Sequence, residues 1–200
     1  MAPLHCIDLS PHEKLELLAI ARKSIEHGLK TNRPLDIARP GLPDALTERH
    51  GNFVTLIQGE TLRGCIGTIE ATDDHLAQSV AVNALHAATH DLRFHPLTAD
   101  ETELTRIEIS VLSRPEPIGF TSRQELLADI RPHEDGLILK HESGRATFLP
   151  KVWEKVTGPE TFVSQLMIKA GLPANYWSDS IRFYRYRAVS FAESSTEVAA

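Results

Sequence analysis

The sequence has few cysteines, few aromatic residues and no long hydrophobic run. Its two cysteines, Cys6 and Cys65, are too few for a disulfide framework or a four-thiolate zinc site, and they fit a reducing cytoplasm. The longest apolar stretch, Leu17–Ala21, is about a quarter of a membrane span. No basic segment followed by an apolar run opens the chain. We therefore expect a cytoplasmic protein without a membrane anchor.

Basic charge is also scarce, because 21 lysines and arginines face 27 aspartates and glutamates, which gives a net charge of −6. Affinity for arbitrary nucleic acid depends on clustered cations that neutralise phosphates, so generic nucleic-acid binding is not expected. The sequence contains no P-loop, G-x-G-x-x-G or G-x-S-x-G motif, and no radical-SAM cysteine cluster. These absences exclude the commonest nucleotide-binding, hydrolase and radical-SAM signatures, and no cofactor is predicted.

Hydrophobic periodicity predicts an α+β fold in which the order helix, hairpin, helix, strand occurs twice. The first half, at about residues 10–113, has a helix capped by Ser10 and ended by Gly28, followed by the predicted strands Phe53–Gln58, Leu62–Ile69 and Thr105–Leu112. The second half, at about residues 121–192, contains the predicted strands Leu137–His141, Arg145–Leu149 and Ile181–Phe191. Short hairpin links indicate mainly antiparallel sheets flanked by helices. We predict one domain over residues 1–200 with an internal quasi-repeat of two αββαβ halves.

The predicted strand Leu62–Ile69 is unusual because it contains two glycines beside a cation and a thiol. Strict alternation places Arg63, Cys65 and Gly67 on one face, with Leu62 and Ile66 on the other. Glycine weakens a strand interior, so Gly64 and Gly67 indicate a bulge or a close approach by another chain segment or a ligand. The alternative is that both glycines only allow helices to pack closely, and that Cys65 is a small buried apolar residue.

The hexapeptide Leu-Arg-Gly-Cys-Ile-Gly at residues 62–67 resembles the signature of the AMMECR domain family, protein A of the AmmeMemoRadiSam system. The resemblance continues in order through the blocks at residues 91–97, 107–113, 148–153 and 169–172, and at Trp177. Two positions depart from the family pattern: Leu92 stands where proline is usual, and Met167 where cysteine is frequent.

The resemblance implies a larger and a smaller antiparallel α+β lobe with a cleft between them, lined by the strand at residues 62–67. It also implies a modification pathway shared with a Memo-like protein and a radical-SAM protein, but no established activity. Two hypotheses therefore stay open. The first is a cytoplasmic enzyme or substrate-handling protein, and the second is a non-catalytic adaptor that docks a partner protein.

The candidate site residues follow from this strand and its neighbours. Cys65 is a candidate nucleophile if a neighbouring base or cation lowers its pKa. The candidate ligand-binding residues are Arg63, Gly64, Gly67, Glu108 and Arg93. Glu108 is expected to pair with Arg63 if the register places both on one face, either to orient Arg63 for an anionic ligand or as a plain structural ion pair.

Two further patterns have both functional and structural interpretations. His86 and His90 share a predicted helix face, as zinc ligands do, but the glutamate of the zincin motif is missing and no metal site is predicted. Arginines alternate with aromatic residues over Arg182–Arg187, as in binders of single-stranded nucleic acid. An amphipathic strand with extended arginine side chains is the preferred interpretation.

The acidic balance generates a first testable prediction. The protein should show no submicromolar, salt-dependent binding to arbitrary duplex or single-stranded oligonucleotides, because it has no broad basic surface from which counterions are released. Fluorescence anisotropy at several salt concentrations measures this. Tight binding with a steep salt dependence would contradict the prediction and point to the strand at Arg182–Arg187.

Overall fold

The first helix begins with a capping box and ends four residues later than the sequence suggests. In the computed structural model, which describes residues 7–194, α1 spans Pro11–Thr31. The Ser10 hydroxyl accepts a hydrogen bond from the Glu13 amide at 3.3 Å, and the Glu13 carboxylate accepts one from the Ser10 amide at 2.7 Å. The helix ends at Asn32, which adopts the left-handed conformation with φ 57°.

The predicted stop at Gly28 is wrong. Gly28 is buried inside α1, and a Cβ atom there would lie 2.2 Å from Leu85 Cδ1. This glycine therefore permits the close packing of α1 against the helix that carries Leu85. A glycine needed for packing and one needed to end a helix look the same in a sequence.

The remaining helices and strands follow in an order that gives the predicted pattern. They are α2 (Asp44–Thr47), β1 (Asn52–Gln58), β2 (Thr61–Thr68), α3 (Leu76–Thr89), α4 (Ala99–Thr102), β3 (Thr105–Leu112), β4 (Glu116–Pro117), α5 (Arg123–Asp129), β5 (Gly136–His141), β6 (Gly144–Phe148), a 3-10 helix (Pro150–Lys155), α6 (Pro159–Lys169), β7 (Arg182–Tyr186) and β8 (Ala188–Ala192). Among residues 7–194, no helix combines the length and the apolar composition of a membrane span.

The chain divides into two units. The larger unit comprises Ile7–Leu112 and the segment that begins at Val189. Its sheet has the strand order β2-β1-β3-β8, and β1 pairs antiparallel with both β2 and β3. The alternating residues Ile107, Ile109 and Val111 of β3 are fully buried in one core with α1 and α3. Because apolar residues occur at every second position in this stretch, the sequence predicted the bounds of β3 to the residue.

The smaller unit contains a second antiparallel sheet and its own core. The sheet has the strand order β4-β7-β5-β6. Trp153 stacks on Phe162 with ring centroids 3.9 Å apart, and the indole N–H donates to the Asp135 carbonyl at 2.7 Å. The two antiparallel sheets with flanking helices confirm the predicted α+β fold.

The predicted single last strand, Ile181–Phe191, is wrong in one respect. It is two strands in different sheets, because β7 belongs to the second sheet and β8 to the first. At the break, the Arg187 carbonyl accepts from the Ser113 amide and the Arg187 amide donates to the Ser113 hydroxyl, both at 2.9 Å. The sequence has apolar residues on both sides of Arg187 and no glycine or proline between Ile181 and Ala192, so no turn signal marks this break.

The strand glycines Gly64 and Gly144 make the same contact in the two units. A Cβ atom at Gly64 in β2 would lie 2.2 Å from the Ala87 carbonyl oxygen of α3. A Cβ atom at Gly144 in β6 would lie 2.3 Å from the Ala170 carbonyl oxygen at the end of α6. Each hairpin therefore meets the end of the following helix at a distance that only glycine permits.

A second prediction concerns these two glycines. Gly64→Ala and Gly144→Ala should each lower the free energy of unfolding by about 1–3 kcal/mol, because the new methyl group overlaps a backbone carbonyl that cannot rotate away. Thermal unfolding should show this as a drop in melting temperature of roughly 2–4 °C per kcal/mol.

Gly119→Ala is the matched control, because no atom lies within 4 Å of a Cβ there and its φ is not positive. It should be neutral or slightly stabilising, since alanine reduces the freedom of the unfolded chain. Equal melting temperatures for all three variants would show that the two close contacts do not constrain the fold.

Candidate functional site

A β-bulge at Arg63 shapes the candidate site. Leu56 of β1 pairs with Gly64 and Ile57 pairs with Leu62, so Arg63 is the extra residue of β2. Bulges of this kind bend a strand and redirect a side chain. The bulge also moves Leu62 to the face of Ile57, away from the core face of Ile66. The predicted placement of Leu62 and Ile66 on one face is therefore wrong, because strict alternation stops at the bulge.

The Arg63 guanidinium is held by Glu101, and the expected pairing with Glu108 is wrong. Arg63 Nε and Nη2 donate to the two carboxylate oxygens of Glu101, both at 3.1 Å. Arg63 Nη1 also donates to the His95 carbonyl at 2.9 Å, and Nη2 approaches the Pro96 carbonyl at 3.5 Å. The side chain is only 14% exposed. Arg63 therefore ties β2 to the loop before α4.

Glu108 does share a row of the sheet with Cys65. Thr55 of β1 pairs with Cys65 on one side and with Glu108 on the other. The Thr55 hydroxyl donates to Cys65 Sγ at 3.3 Å. Among the described residues, the Cys65 thiol makes no hydrogen bond to a histidine or another base. Cys65 is partly buried, and the Arg93 guanidinium lies close enough to interact with it electrostatically. A nucleophilic role for Cys65 stays a prediction.

Asp91 joins the strand to the second arginine of the site. Its carboxylate accepts from the Cys65 amide at 2.8 Å, from the Arg93 amide at 3.2 Å, and from Arg93 Nε and Nη2 at 2.9 and 2.6 Å. The hydrogen bond from the Arg93 guanidinium outweighs the opposing effect of burial and holds the pKa of Asp91 at about 2. Asp91 in turn raises the pKa of Arg93. The pair is therefore ionised at neutral pH.

The Asp91–Arg93 pair also covers the edge of the sheet. β2 is an edge strand, and such strands leave outward N–H and C=O groups without a neighbour. Asp91 takes the Cys65 N–H, and Arg93 Nη2 lies 3.5 Å from the Cys65 carbonyl oxygen. At Cys65, the side chains of Asp91 and Arg93 thus take the hydrogen-bonding positions that a further strand would fill.

An open hollow of about 560 Å³ lies against this loop, wholly within the larger unit. Its lining residues are Arg63, Leu92, Arg93, Phe94, His95, Pro96, Thr98 and Glu101. The Arg93 side chain is 57% exposed, and Leu92 is fully exposed. The hollow therefore presents an accessible guanidinium beside an accessible apolar side chain.

The two carboxylates of the hollow are engaged by the protein, whereas Arg93 keeps donor groups without a partner. The Glu101 carboxylate accepts from Arg63 and also from the Thr98 amide at 2.9 Å and the Thr98 hydroxyl at 3.1 Å. The hydrogen bonds from Arg63, ahead of those from Thr98, hold the pKa of Glu101 at about 2. Among the described residues, Arg93 Nη1 has no hydrogen-bond partner. Each carboxylate thus accepts four hydrogen bonds, although only one of them reaches Glu101 Oε1, while Arg93 Nη1 keeps two N–H groups.

Of the predicted site residues, Arg63 and Arg93 line the hollow, and Cys65, Gly64, Gly67 and Glu108 do not. The close approach that the glycines predicted is made by the protein itself. Ala87 fills the space beside Gly64, and a Cβ atom at Gly67 would lie 2.3 Å from the Asn52 carbonyl oxygen and 2.4 Å from the Phe53 ring. These contacts favour helix packing as the reason for Gly64, whereas the segment that approaches Gly67 is the neighbouring strand β1 and not a helix.

Sequence reasoning missed Asp91 and Glu101 as site residues. Thr98 and Glu101 form a capping box with the T-x-x-E spacing, a signal that the sequence displays. That signal places Glu101 at the start of a helix, but it carries no information about its bond to Arg63. Asp91 lies in the block at residues 91–97 of the family resemblance. The sequence around it, however, does not distinguish it from a surface aspartate.

The two histidines at the end of α3 contact each other. The His86 and His90 rings lie 4.8 Å apart between centroids. Burial, and then the neighbouring His90, lower the pKa of His86. No group of three or more metal-ligating side chains occurs within residues 7–194.

Comparison with known proteins places the chain in a family. The AMMECR1 family model matches residues 18–191, which is most of the chain. The chain belongs to the AMMECR1 family. The resemblance of the hexapeptide at residues 62–67 is thus confirmed over residues 18–191.

Relatives of this AMMECR1-family chain occur in archaea. Proteins of Thermofilum pendens and Methanothermobacter thermautotrophicus are 34% and 36% identical to it, over 94% and 92% of this chain and 92% and 96% of their own. A Saccharolobus solfataricus protein is 38% identical over 89% of this chain and 80% of its own. The crystal structure of the uncharacterized protein PH0010 from Pyrococcus horikoshii is similar to the present fold with a TM-score of 0.81. It is 31% identical and covers 89% of this chain and 90% of that one. None of these names states an activity.

A third prediction follows from the pKa of Asp91. Because the pKa is about 2 in the folded chain and close to 3.9 in the unfolded chain, the stabilisation is complete above pH ~4 and is lost as the pH falls through 2. Asp91→Asn should therefore lower the free energy of unfolding at pH 7 by about 1–3 kcal/mol, since charged hydrogen bonds to Cys65 and Arg93 are lost.

Urea unfolding from pH 7 down to pH 2 measures this effect, with the exposed Asp36→Asn as the matched control. The difference between Asp91→Asn and the wild type should shrink towards the lowest pH, while Asp36→Asn should track the wild type throughout. A constant difference at every pH would show that the charge of Asp91 is not what stabilises the loop.

Proposed function

We propose that this AMMECR1-family protein is a substrate-handling protein that binds an anionic group of its ligand at Arg93. The single observation that carries the proposal is Arg93 Nη1, whose two N–H groups have no partner among the described residues. Asp91 and Glu101 each already accept four hydrogen bonds from the protein, whereas Arg93, at the lining of the hollow, still has these two N–H groups to donate. A ligand with negative charge and acceptor oxygens satisfies these donors.

The arginine is already fixed in a geometry suited to binding. Its Nε and Nη2 atoms are held by the buried carboxylate of Asp91, so the orientation of the planar guanidinium is set before a ligand arrives. A side chain that is ordered in advance loses little conformational entropy on binding. Arg63 contributes positive charge nearby, although its own donors mostly serve Glu101 and the loop carbonyls.

Binding, rather than covalent catalysis, fits the arrangement best. The candidate nucleophile Cys65 does not line the hollow, and its sulfur accepts a hydrogen bond from Thr55. A thiol nucleophile needs a base or a cation that stabilises the thiolate at the reacting position. We therefore assign no chemical step to this site.

The proposed setting is a cytoplasmic modification pathway that the protein shares with a Memo-like and a radical-SAM protein. This part of the proposal is supported by the family resemblance. In such a pathway a substrate-handling protein would present or protect an anionic substrate for the enzymes that act on it.

A non-catalytic adaptor is the second candidate function, and one observation favours it. Leu92 is fully exposed beside the accessible Arg93, and arginine is enriched among the residues that dominate binding at protein interfaces. On that alternative the hollow would receive an acidic side chain of a partner protein, and small anions would bind too weakly to matter.

A fourth prediction tests the proposal. Acetate and inorganic phosphate should each shift the NMR signals of the Arg93 side chain and of the loop at residues 91–98, with a dissociation constant of about 1 mM or weaker for such small probes. Arg93→Gln should weaken acetate binding at least tenfold, because it removes the charge and the free N–H groups. The exposed Arg33→Gln is the matched control and should bind as the wild type does.

A loss of binding only in Arg93→Gln supports the proposal. Binding that is equal in both variants would place the anion elsewhere. The complete absence of shifts for acetate and phosphate would overturn small-anion recognition and favour the adaptor.

A further inference from the structure

We infer that the ligand of the hollow is an apolar carboxylate, a single carboxylate bound by Arg93 and joined to a hydrocarbon group that lies on Leu92, Phe94 and Pro96. This inference rests on the proposed anion binding and names the chemical class of the ligand. It comes from the charge balance of the site, from its size and from the apolar part of its lining.

The charge balance favours a monoanion over a dianion. Arg63 and Arg93 carry two positive charges, and Glu101 and Asp91 carry two negative charges that their low pKa values maintain at neutral pH. The four groups together are neutral, so the attraction for a ligand comes from the free N–H groups of Arg93 and not from excess positive charge. A second negative charge on the ligand would mainly add repulsion from the two carboxylates.

The size of the hollow leaves room for more than a small anion. Its volume of about 560 Å³ is in the range of pockets that hold complete organic ligands and is far larger than a carboxylate group needs. An acetate or phosphate ion at Arg93 would leave most of this space to water. The part of the ligand away from the carboxylate must therefore match the remaining lining.

Three of the other lining residues are apolar and adjoin Arg93. Leu92, Phe94 and Pro96 alternate along the loop with Arg93 and His95, and all five line the hollow. Arg93 lies over the Phe94 ring with its guanidinium carbon 5.4 Å from the ring centroid. Cation and apolar surface thus adjoin, as an apolar carboxylate requires.

The loop is fixed in a way that keeps Leu92 exposed. The Phe94 amide donates to the Asp91 carbonyl at 3.0 Å, and the Arg93 amide donates to the Asp91 carboxylate at 3.2 Å. This turn places Leu92 at its outer corner with its whole side chain accessible. Covering Leu92 with a hydrocarbon group is favourable, because it removes apolar area from water without a rearrangement of the loop.

Two sources share this chemistry, a small organic acid and the C-terminal carboxylate of a peptide that ends in an apolar residue. The experiment compares acetate, 3-phenylpropanoate, 3-phenylpropanamide and a tripeptide Ala-Ala-Leu with a free or an amidated C-terminus. Each is titrated into the full-length protein and followed by NMR and calorimetry. The variants are Leu92→Ser and Arg93→Gln.

A fifth prediction states the expected pattern. 3-Phenylpropanoate should bind at least tenfold more tightly than acetate, and the neutral amide should not bind. Leu92→Ser should reduce the affinity for 3-phenylpropanoate severalfold and leave that for acetate unchanged, because only the apolar contact is lost. Leu92 is fully exposed, so this variant should fold normally. Leu104→Ser, at a 65% exposed leucine outside the hollow, is the matched control and should have no effect.

The outcomes separate this inference from the proposed function. Equal affinities for acetate and 3-phenylpropanoate, both abolished by Arg93→Gln, would overturn the apolar part and leave anion binding intact. 3-Phenylpropanoate binding that survives Arg93→Gln would overturn recognition of the carboxylate.

Tighter binding of the free-acid tripeptide than of 3-phenylpropanoate, lost on amidation, would support a peptide terminus. The reverse order would support a small acid.

Discussion

The carboxylate of Asp91 is the group on which the site depends. It satisfies the backbone N–H of an edge strand and at the same time holds the guanidinium of Arg93. A neutral side chain of the same shape would leave a charged arginine and a backbone donor competing for fewer acceptors. The placement of the binding arginine is therefore a consequence of how the edge of the sheet is closed, and the same bonds serve both folding and recognition.

The pairing of each arginine with a carboxylate explains why an acidic protein can present a site for an anion. The net charge of the chain is −6, and the arginines that line the hollow are each paired with a carboxylate. Because the charges are paired, such a site attracts a ligand only within hydrogen-bond distance and has little effect at the longer range of a Debye length. Its selectivity then comes from geometry and from apolar contact, which suits the recognition of one organic ligand and gives little attraction for polyanions in general.

The sequence predicted the features that depend on local periodicity and missed those that depend on tertiary pairing. The alternation in β3 and the capping box at Ser10 are local, and both were predicted. The partner of Arg63 was not, because a single inserted residue at the bulge changes which face each side chain takes. The division after Tyr186 was also missed, because two strands of different sheets follow one another with no glycine or proline between them.

The contact between Gly64 and the end of α3 changes what the hexapeptide at residues 62–67 means. The last carbonyl groups of a helix have no partner within that helix, and here one of them abuts the backbone of β2, where any side chain would collide with it. Glycine is required at this point even in a chain that binds nothing. Its presence in a related sequence therefore identifies the architecture, whereas a shared ligand must be judged from the residues equivalent to Leu92, Arg93 and Phe94.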